Sequence, residues 1–384
     1  MAQALLRIFL FTLWIAAAAY YFISAFCLAS FYRRKKEVPS YLPPMTVLKP
    51  LKGIDEKTVE NLLSFLNQDY PAFQVIFGVT DGTDPAREVA AGLAANHQGI
   101  DIEVVAAPTE AQNEKAGNLA NMCRHAKYDI IVIADADMHV GPDYLRTIAG
   151  GFDGPEVGLV TCPYRAARPE SMGAAFESLT INSDFLPSVT VAERLEGLSF
   201  GLGATMAVRR EALAEIGGFE ALADYLADDY QLGNRVKRSG YSLRLSRYVV
   251  DSVQGQESLS GYFSHQLRWG RTYRACRPGS YFLSVLTKGT AFAVFFLVAS
   301  GFSIAGWAVL GTDLAMRYCQ ALYMEARLIR APGVMKYYWL LPLKDLLSFI
   351  IWGLSFTGNT VRWKDSRYRI DSEGRMKRLS GKHS

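Results

Sequence analysis

Asp129-Ile-Ile-Val-Ile-Ala-Asp-Ala-Asp137 is the stretch that decides how this chain folds. An apolar run stops abruptly at two carboxylates, Asp135 and Asp137. Residues i and i+2 of an extended strand point to the same face. The spacing therefore predicts a buried strand over Asp129–Ala134 that delivers both acids to one spot at its C-terminal end. In an open α/β sheet, that edge is where ligands bind. Two hard oxygen donors there suit Mg²⁺ or Mn²⁺ holding a diphosphate, and so an enzyme working on a nucleotide-activated substrate. The competing reading is a loop with two exposed acids. His139 shares the parity of the pair if the strand persists, although a surface imidazole also accounts for it.

Outward from this strand the pattern alternates. Strands are expected at Thr46–Lys49, Phe73–Val79, Ile102–Ala106 and Val157–Thr161. Helical spacing marks Thr58–Asn67, Arg87–Asn96, Ala116–Arg124 and Tyr230–Arg238. This alternation predicts an α/β fold with a mostly parallel sheet and crossover helices, Rossmann-like in general form. A dinucleotide-binding dehydrogenase is disfavoured, because no GxGxxG follows the first strand. Pro39, Pro43 and Pro44 mark a linker before the domain.

The 384 residues carry a net charge of only +4, which makes no case for nucleic acid as a partner. Cys27, Cys123, Cys162, Cys276 and Cys319 are scattered and odd in number, so neither a disulfide framework nor a zinc site is indicated. With few histidines and no HExxH, any metal chemistry has to be carboxylate chemistry.

The apolar residues concentrate at the two ends. Leu5–Phe31 exceeds the roughly 20 residues that span a bilayer. Its main charge, Arg33-Arg34-Lys35-Lys36, comes after it, as in an uncleaved anchor rather than a signal peptide. The positive-inside rule then sets the following domain in the cytoplasm. Thr290–Leu310 and Tyr337–Phe356 are further candidate spans. Leu314–Ile329, interrupted by Arg317, Glu325 and Arg327, is a short span or an amphipathic helix at the surface. Lys344 and Asp345 are costly in lipid, so they are expected to face other helices or the interface. The basic stretch Arg362–Ser384 favours a cytoplasmic end near anionic lipid. Three spans satisfy that orientation.

Other constellations admit two readings each. Asp81 and Asp84 follow a strand and could accept from a base or ribose, or could be ordinary turn residues. Lys115, in Asn113-Glu114-Lys115-Ala116-Gly117-Asn118, could neutralise diphosphate at a helix N-terminus, or be a solvated lysine beside a cap. Asp228-Asp229 open a helix, where they either favour the macrodipole or provide a general base. In His265-Gln266-Leu267-Arg268-Trp269, positions 265, 268 and 269 share one helical face. Arg268 could hold phosphate, and Trp269 offers a platform for sugar or lipid. The same segment, with Arg271, Arg274 and Arg277, also reads as a basic helix on the membrane surface.

Taken together, the order of anchor, Asp81, Asp135, Asp229, an xxRW motif and C-terminal spans resembles the membrane-bound GT-A glycosyltransferases. It is similar to the ceramide glucosyltransferase and hopanoid-biosynthesis branch. Leu48-Lys49-Pro50-Leu51-Lys52-Gly53, Gln68-Asp69-Tyr70-Pro71, Asp84-Pro85-Ala86, Ala227-Asp228-Asp229-Tyr230 and Arg367-Tyr368-Arg369 carry the resemblance. It covers the chain from about Leu5 to Arg369. The resemblance implies Asp81 near the uridine, Asp135 and Asp137 at the metal and ribose, and Asp229 as catalytic base, with Asp228 beside it. It puts Arg268 and Trp269 in a (Q/R)xxRW signature. His265 stands at the first position of that signature, with Gln266 one place late. Ceramide enzymes often keep a single acid at the DxD position, so the complete triplet fits metal use.

The expected domains are an anchor over 1–36, a cytoplasmic catalytic domain over 41–255 and an amphipathic interface segment over 256–284. Transmembrane helices over 285–360 and a basic tail over 361–384 follow. The expected function is inverting transfer from a UDP-sugar to a hydroxyl of a membrane lipid in a bacterial inner membrane. UDP-N-acetylglucosamine to bacteriohopanetetrol is preferred, and UDP-glucose to ceramide is the alternative. A processive polysaccharide synthase and a non-catalytic membrane scaffold are the remaining readings.

Overall fold

The computed structural model describes residues 1–35, 39, 41–253, 255–363 and 366–379. Seven strands build the main sheet: β1 (Met45–Pro50), β2 (Phe73–Val79), β3 (Asp101–Ala106), β4 (Ile130–Ala134), β6 (Val157–Thr161), β8 (Thr205–Arg209) and β9 (Ser242–Leu245). A small sheet holds β5 (Met138–His139), β7 (Tyr164–Ala166) and β10 (Val250–Ser252). A third comprises β11 (Thr360–Trp363), β12 (Ser366–Ile370) and β13 (Met376–Arg378).

The main sheet runs β3-β2-β1-β4-β8-β6-β9. β1 to β4 are mutually parallel, β8 is antiparallel to both its neighbours, and β6 and β9 are parallel. The mostly parallel expectation holds, with β8 as the one inverted strand of this sheet. Alternation along the strands explains its two-sided core. Met45, Val47, Val75, Ile130 and Val132 pack on one face; Leu48, Ile76, Ile131 and Ile133 pack on the other. Burying each such side chain is worth about 1.5–3 kcal/mol, which is why β4 tolerates no polar residue before Asp135.

The helix Ala2–Arg33 packs along Gly289–Ala299 and against Leu186–Glu196. Gly289 permits the first contact, since a Cβ there would lie 2.3 Å from Tyr21 Oη. Arg7 closes the far end by donating to the Ala299 carbonyl at 2.9 Å. Ala2–Arg33 and Met335–Thr357 are long and apolar enough to cross a membrane. Among the described residues, a third span is counted only when Pro278–Thr287 and Gly289–Ala299, bent by 59°, are taken as one. The 11 residues of Gly289–Ala299 reach only about 16 Å on their own.

The expected continuous span Thr290–Leu310 is corrected. The helix stops at Ala299 and a new one runs Ile304–Tyr323. Gly301 and Phe302 take left-handed backbone, φ +65° and +56°, and Ser303 Oγ caps the Gly306 amide. The stretch expected separately at Leu314–Ile329 continues this second helix and ends in the π-helical turn Met324–Ile329, terminated by left-handed Arg330.

The basic tail is also corrected. Its described part folds into β11–β13, and Ser380–Ser384 lie outside the described residues. Val361, Tyr368, Ile370 and Met376 bury themselves against Leu226. Lys36, from the basic run after the anchor, likewise lies outside the described residues.

Candidate active site

β4 ends at Ala134, and Asp135 to Asp137 form a turn in which the Met138 amide donates to the Asp135 carbonyl at 3.3 Å. The two acids share a location through this turn rather than through strand parity. His139 falls in β5 opposite Asp251, half-buried and away from the cavity, with Nδ1 enclosed and unpartnered; it is not a surface imidazole.

A cavity of about 1260 Å³ opens beneath the turn. Asp135, Asp137, Lys115, Asp228, Asp229, His265, Gln266, Arg268 and Trp269 all line it. Four segments far apart in sequence are thus brought together. Asp81 is not among them. Its exposed carboxylate accepts from the Thr83 amide and hydroxyl at 2.8 and 2.7 Å, and its neighbour Thr80 reaches the wall instead. Asp84 caps the helix Pro85–Asn96 and binds the Gly53 amide, as a turn residue does.

Lys115 holds the site's charges together. Its Nζ lies 2.6 Å from Asp135 Oδ1 and 3.5 Å from Asp228 Oδ2. Burial works against its charge, but Asp135 and Asp228 outweigh that and hold the ammonium firmly protonated. The preceding cap, Asn113, donates to the Tyr225 carbonyl at 2.7 Å and to Asp228 at 3.4 Å. Helix Glu114–Cys123 is thereby fastened to the loop leading into helix Asp228–Arg238.

Asp228 is 7% exposed and faces Lys115. Asp229 is half-buried and faces the cavity, and its Oδ1 also accepts from the Tyr230 amide at 2.7 Å. Burial and the charge of Asp228 push the Asp229 carboxyl up to about 6, against the pull of Lys115. That suits a general base near neutral pH.

The wall behind Asp229 is built of glycines. A Cβ on Gly203 would sit 2.9 Å from Asp229 Oδ2, and one on Gly201 would sit 2.8 Å from its carbonyl. Gly233 lies so close to Gly201 that its Cβ would come within 2.1 Å of that amide nitrogen. The Asp135 amide donates to the Ala204 carbonyl at 3.2 Å. One glycine-rich segment therefore sets the acid turn against Asp229. Its Gly-Leu-Gly signal is legible in sequence only once the partner is known.

Lys49 was also missed as a functional group. Fully buried at the end of β1, it donates to the Asp135 carbonyl and sits 3.8 Å from the centre of the Phe65 ring. Burial pushes its ammonium down to about 7, while Asp137 and Asp135 pull it up.

On helix Leu259–Cys276, His265 and Gln266 reach the same buried carboxylate. His265 Nδ1 lies 3.2 Å from Glu177 Oε1, and Gln266 Nε2 donates to Oε2 at 3.0 Å. His265 meets Trp269 edge-on at 4.7 Å. Glu177, 2% exposed, is the anchor that local spacing could not reveal. The guanidinium of Arg268 lines the cavity, and burial lowers its pKa.

Beyond Asp229 the wall becomes membrane helix. Ala16, Ile23, Leu195 and Leu283 are exposed apolar residues that also line the cavity, so it reaches the surface beside the anchor helix Ala2–Arg33. Its inner end holds a buried ion network. Arg317 lies 2.6 Å from Asp184 and 2.9 Å from Asp345, and Lys344 lies 2.9 and 2.5 Å from the same two acids. Lys344 and Asp345 turn inward, as their cost in lipid requires.

The sequence profile described as Glycosyl transferase family 21 matches residues 9–376. The chain belongs to this family. It is 24% identical over 362 residues to Ceramide glucosyltransferase 1 of Caenorhabditis elegans, covering 91% of this chain and 76% of that protein. It is 27% identical over 247 residues to Ceramide glucosyltransferase 3 of the same organism, covering 64% and 53%. Among solved structures it is similar to the mannosyltransferase PcManGT from Pyrobaculum calidifontis in complex with GDP-Man and Mn²⁺. The TM-score is 0.58, with 20% identity over 91% of this chain and 98% of that one. That likeness shows the GT-A fold. The family 21 chain is a membrane glycosyltransferase that uses a nucleotide-sugar.

Proposed function

We propose that this family 21 chain transfers one hexose from a UDP-sugar to a hydroxyl of a membrane lipid, with inversion at the anomeric carbon. The observation that carries the reading is one cavity lined both by the acids Asp135, Asp137, Asp228 and Asp229 and by exposed apolar residues of the anchor helix Ala2–Arg33 and its neighbours. Donor chemistry fits the acids and a hydrocarbon tail fits the apolar residues. The basic run ending the anchor supports a cytoplasmic catalytic domain, and a bacterial inner membrane suits that orientation.

The site fits a divalent ion with hard oxygen ligands. Asp135 and Asp137 both reach the cavity, and no group of three His, Cys, Asp or Glu is assembled among the described residues. Such a set suits Mg²⁺ or Mn²⁺, which take the rest of their ligands from diphosphate and water. When bound, the ion would neutralise charge on the departing diphosphate.

The protein's own residues do the remaining work. Asp229 takes the proton from the lipid hydroxyl as that oxygen attacks the anomeric carbon. The bond from that carbon to the diphosphate oxygen breaks, and UDP leaves with the electron pair. Asp228 positions Lys115, and Lys115 and Arg268 stabilise the charge that grows on UDP. His265 and Gln266, tied through Glu177, fix the face of the helix that presents Arg268 and Trp269. Asp81, outside the cavity wall, stays a candidate contact for the uridine.

For the acceptor, the names of the two relatives put ceramide ahead of bacteriohopanetetrol, reversing the order taken from sequence. The test is purified protein with UDP-glucose or UDP-N-acetylglucosamine against ceramide and a polyol hopanoid, read by lipid mass. A single hexose added to ceramide is the expected result. A product on the hopanoid alone reverses the acceptor assignment, a polymer makes the chain a processive synthase, and no UDP release with any pair removes the enzymatic reading.

A further inference from the structure

Three cations that line the cavity make no ion pair within 4.0 Å among the described residues: Arg268, which feels Glu177 and Asp229 at longer range, Lys288, which feels Asp184 and Asp345, and Arg378. The others are already engaged. Lys52 pairs with Glu114, Lys115 with Asp135 and Asp228, Arg277 with Glu196, and Arg317 with Asp184 and Asp345. Lys288 belongs to the helical end, at the bend before Gly289–Ala299. Arg378 comes from the opposite end of the chain, on β13.

The third sheet is fixed to the catalytic loops rather than hanging beside them. The Met376 amide donates to the Asp224 carbonyl at 2.7 Å, and Tyr225 and Arg375 form a β-bridge. Leu226 packs into the apolar face of the sheet. The Arg378 amide donates to Gln112 Oε1 at 3.0 Å. Gln112 directly precedes Asn113-Glu114-Lys115, so the backbone of Arg378 is tied to the segment that carries Lys115, and both residues line the same cavity. Strand parity puts Arg378 on the same face as Met376, with Tyr368 opposite it in β12 and also lining the cavity. Lys377 points to the other face, opposite Arg369; both it and Arg378 are exposed, but only Arg378 lines the cavity.

We propose that Arg378 is a donor-binding residue that contacts the diphosphate of the nucleotide-sugar, making the C-terminal sheet part of the donor site. A planar guanidinium can grip two phosphate oxygens at once. With Lys115 shared between two acids, an unpaired guanidinium on this wall supplies positive charge that the aspartates do not already consume. The inference rests on the UDP-sugar reading above.

The experiment uses the full-length protein in detergent and measures UDP affinity by calorimetry, with steady-state kinetics alongside. Arg378→Ala is expected to weaken UDP binding roughly tenfold or more, to raise KM for the UDP-sugar and to leave KM for the lipid unchanged. Arg378→Lys is expected to recover part of the loss. Lys377→Ala removes the same charge one residue away and is expected to bind UDP within twofold of the unaltered protein. UDP affinity in Arg378→Ala equal to that of the unaltered protein overturns the inference and leaves the donor reading standing. Equal losses in Arg378→Ala and Lys377→Ala reduce the effect to general surface charge and also overturn it. Failure of the unaltered protein to bind UDP is a different result, which removes the donor reading and the inference with it.

Discussion

Lys115 Nζ stands 2.6 Å from Asp135 Oδ1 and 3.5 Å from Asp228 Oδ2, so one ammonium spans the acid turn and the catalytic helix. Replacing it with methionine leaves Asp135, Asp228 and Asp229 uncompensated. Lys115 is the main influence holding down the Asp229 pKa. Lys115→Met is therefore expected to move the acid limb of the kcat profile to higher pH and to weaken UDP binding. Both are read from kinetics between pH 5 and 9.

As the proposed base, Asp229 acts when deprotonated, and burial with the charge of Asp228 pushes its carboxyl up to about 6. Turnover should be full above that value and fall tenfold per pH unit well below it. Asp228 raises the Asp229 pKa, so Asp228→Asn should shift the limb toward lower pH. A limb that stays put in Asp228→Asn would show that another group controls it.

Gly203 has ordinary backbone, so an alanine there costs only the contact its Cβ makes with Asp229, 2.9 Å from Oδ2. A carboxylate moved by part of an ångström loses alignment. Gly203→Ala should lower kcat by roughly ten- to a hundredfold, while UDP affinity stays near that of the unaltered protein. A loss confined to UDP binding would place Gly203 in the donor pocket instead.

With Asp135 and Asp137 as the carboxylates available to an ion, chelation should abolish transfer, and added Mg²⁺ or Mn²⁺ should restore it. Asp137→Asn should raise the ion concentration needed for half-maximal rate. Full activity in excess chelator would make Lys115 and the guanidinium groups sufficient without a metal.

Arg317 is buried between Asp184 and Asp345. Arg317→Met leaves two acids to share Lys344, which should cost about 3–5 kcal/mol and lower the melting temperature in detergent. A double change that also neutralises Asp345 should recover part of it.

Some features were legible because local pattern expresses them directly. The β4 run and its terminal acids reveal the sheet and the paired carboxylates that line the cavity, since a strand buried on both faces excludes polar residues. His265, Arg268 and Trp269 share a helical face, and all three line the cavity. Features that depend on distant partners were hidden. Asp184 meets Arg317 and Lys344 across more than a hundred residues of chain. Glu177 serves His265 and Gln266 from another helix. Composition made Arg362–Ser384 look like a tail, because β12 alternates arginine with the buried Tyr368 and Ile370, so its charge outweighs its short apolar face. Strand-end position left Asp81 open between a turn and a ligand contact, and the resemblance put it near the uridine; its carboxylate accepts from Thr83 in a local turn that sequence spacing already allowed.

Asp229, as the proposed base, takes the proton and does little to hold the donor. Asp229→Asn is close in volume and changes the charge. UDP-sugar affinity by calorimetry and lipid glycosylation by mass spectrometry, measured on the same preparation, test it most directly. Donor affinity within a few-fold of the unaltered protein, with transfer reduced by at least roughly a hundredfold, is the predicted result; normal transfer by the variant would contradict it.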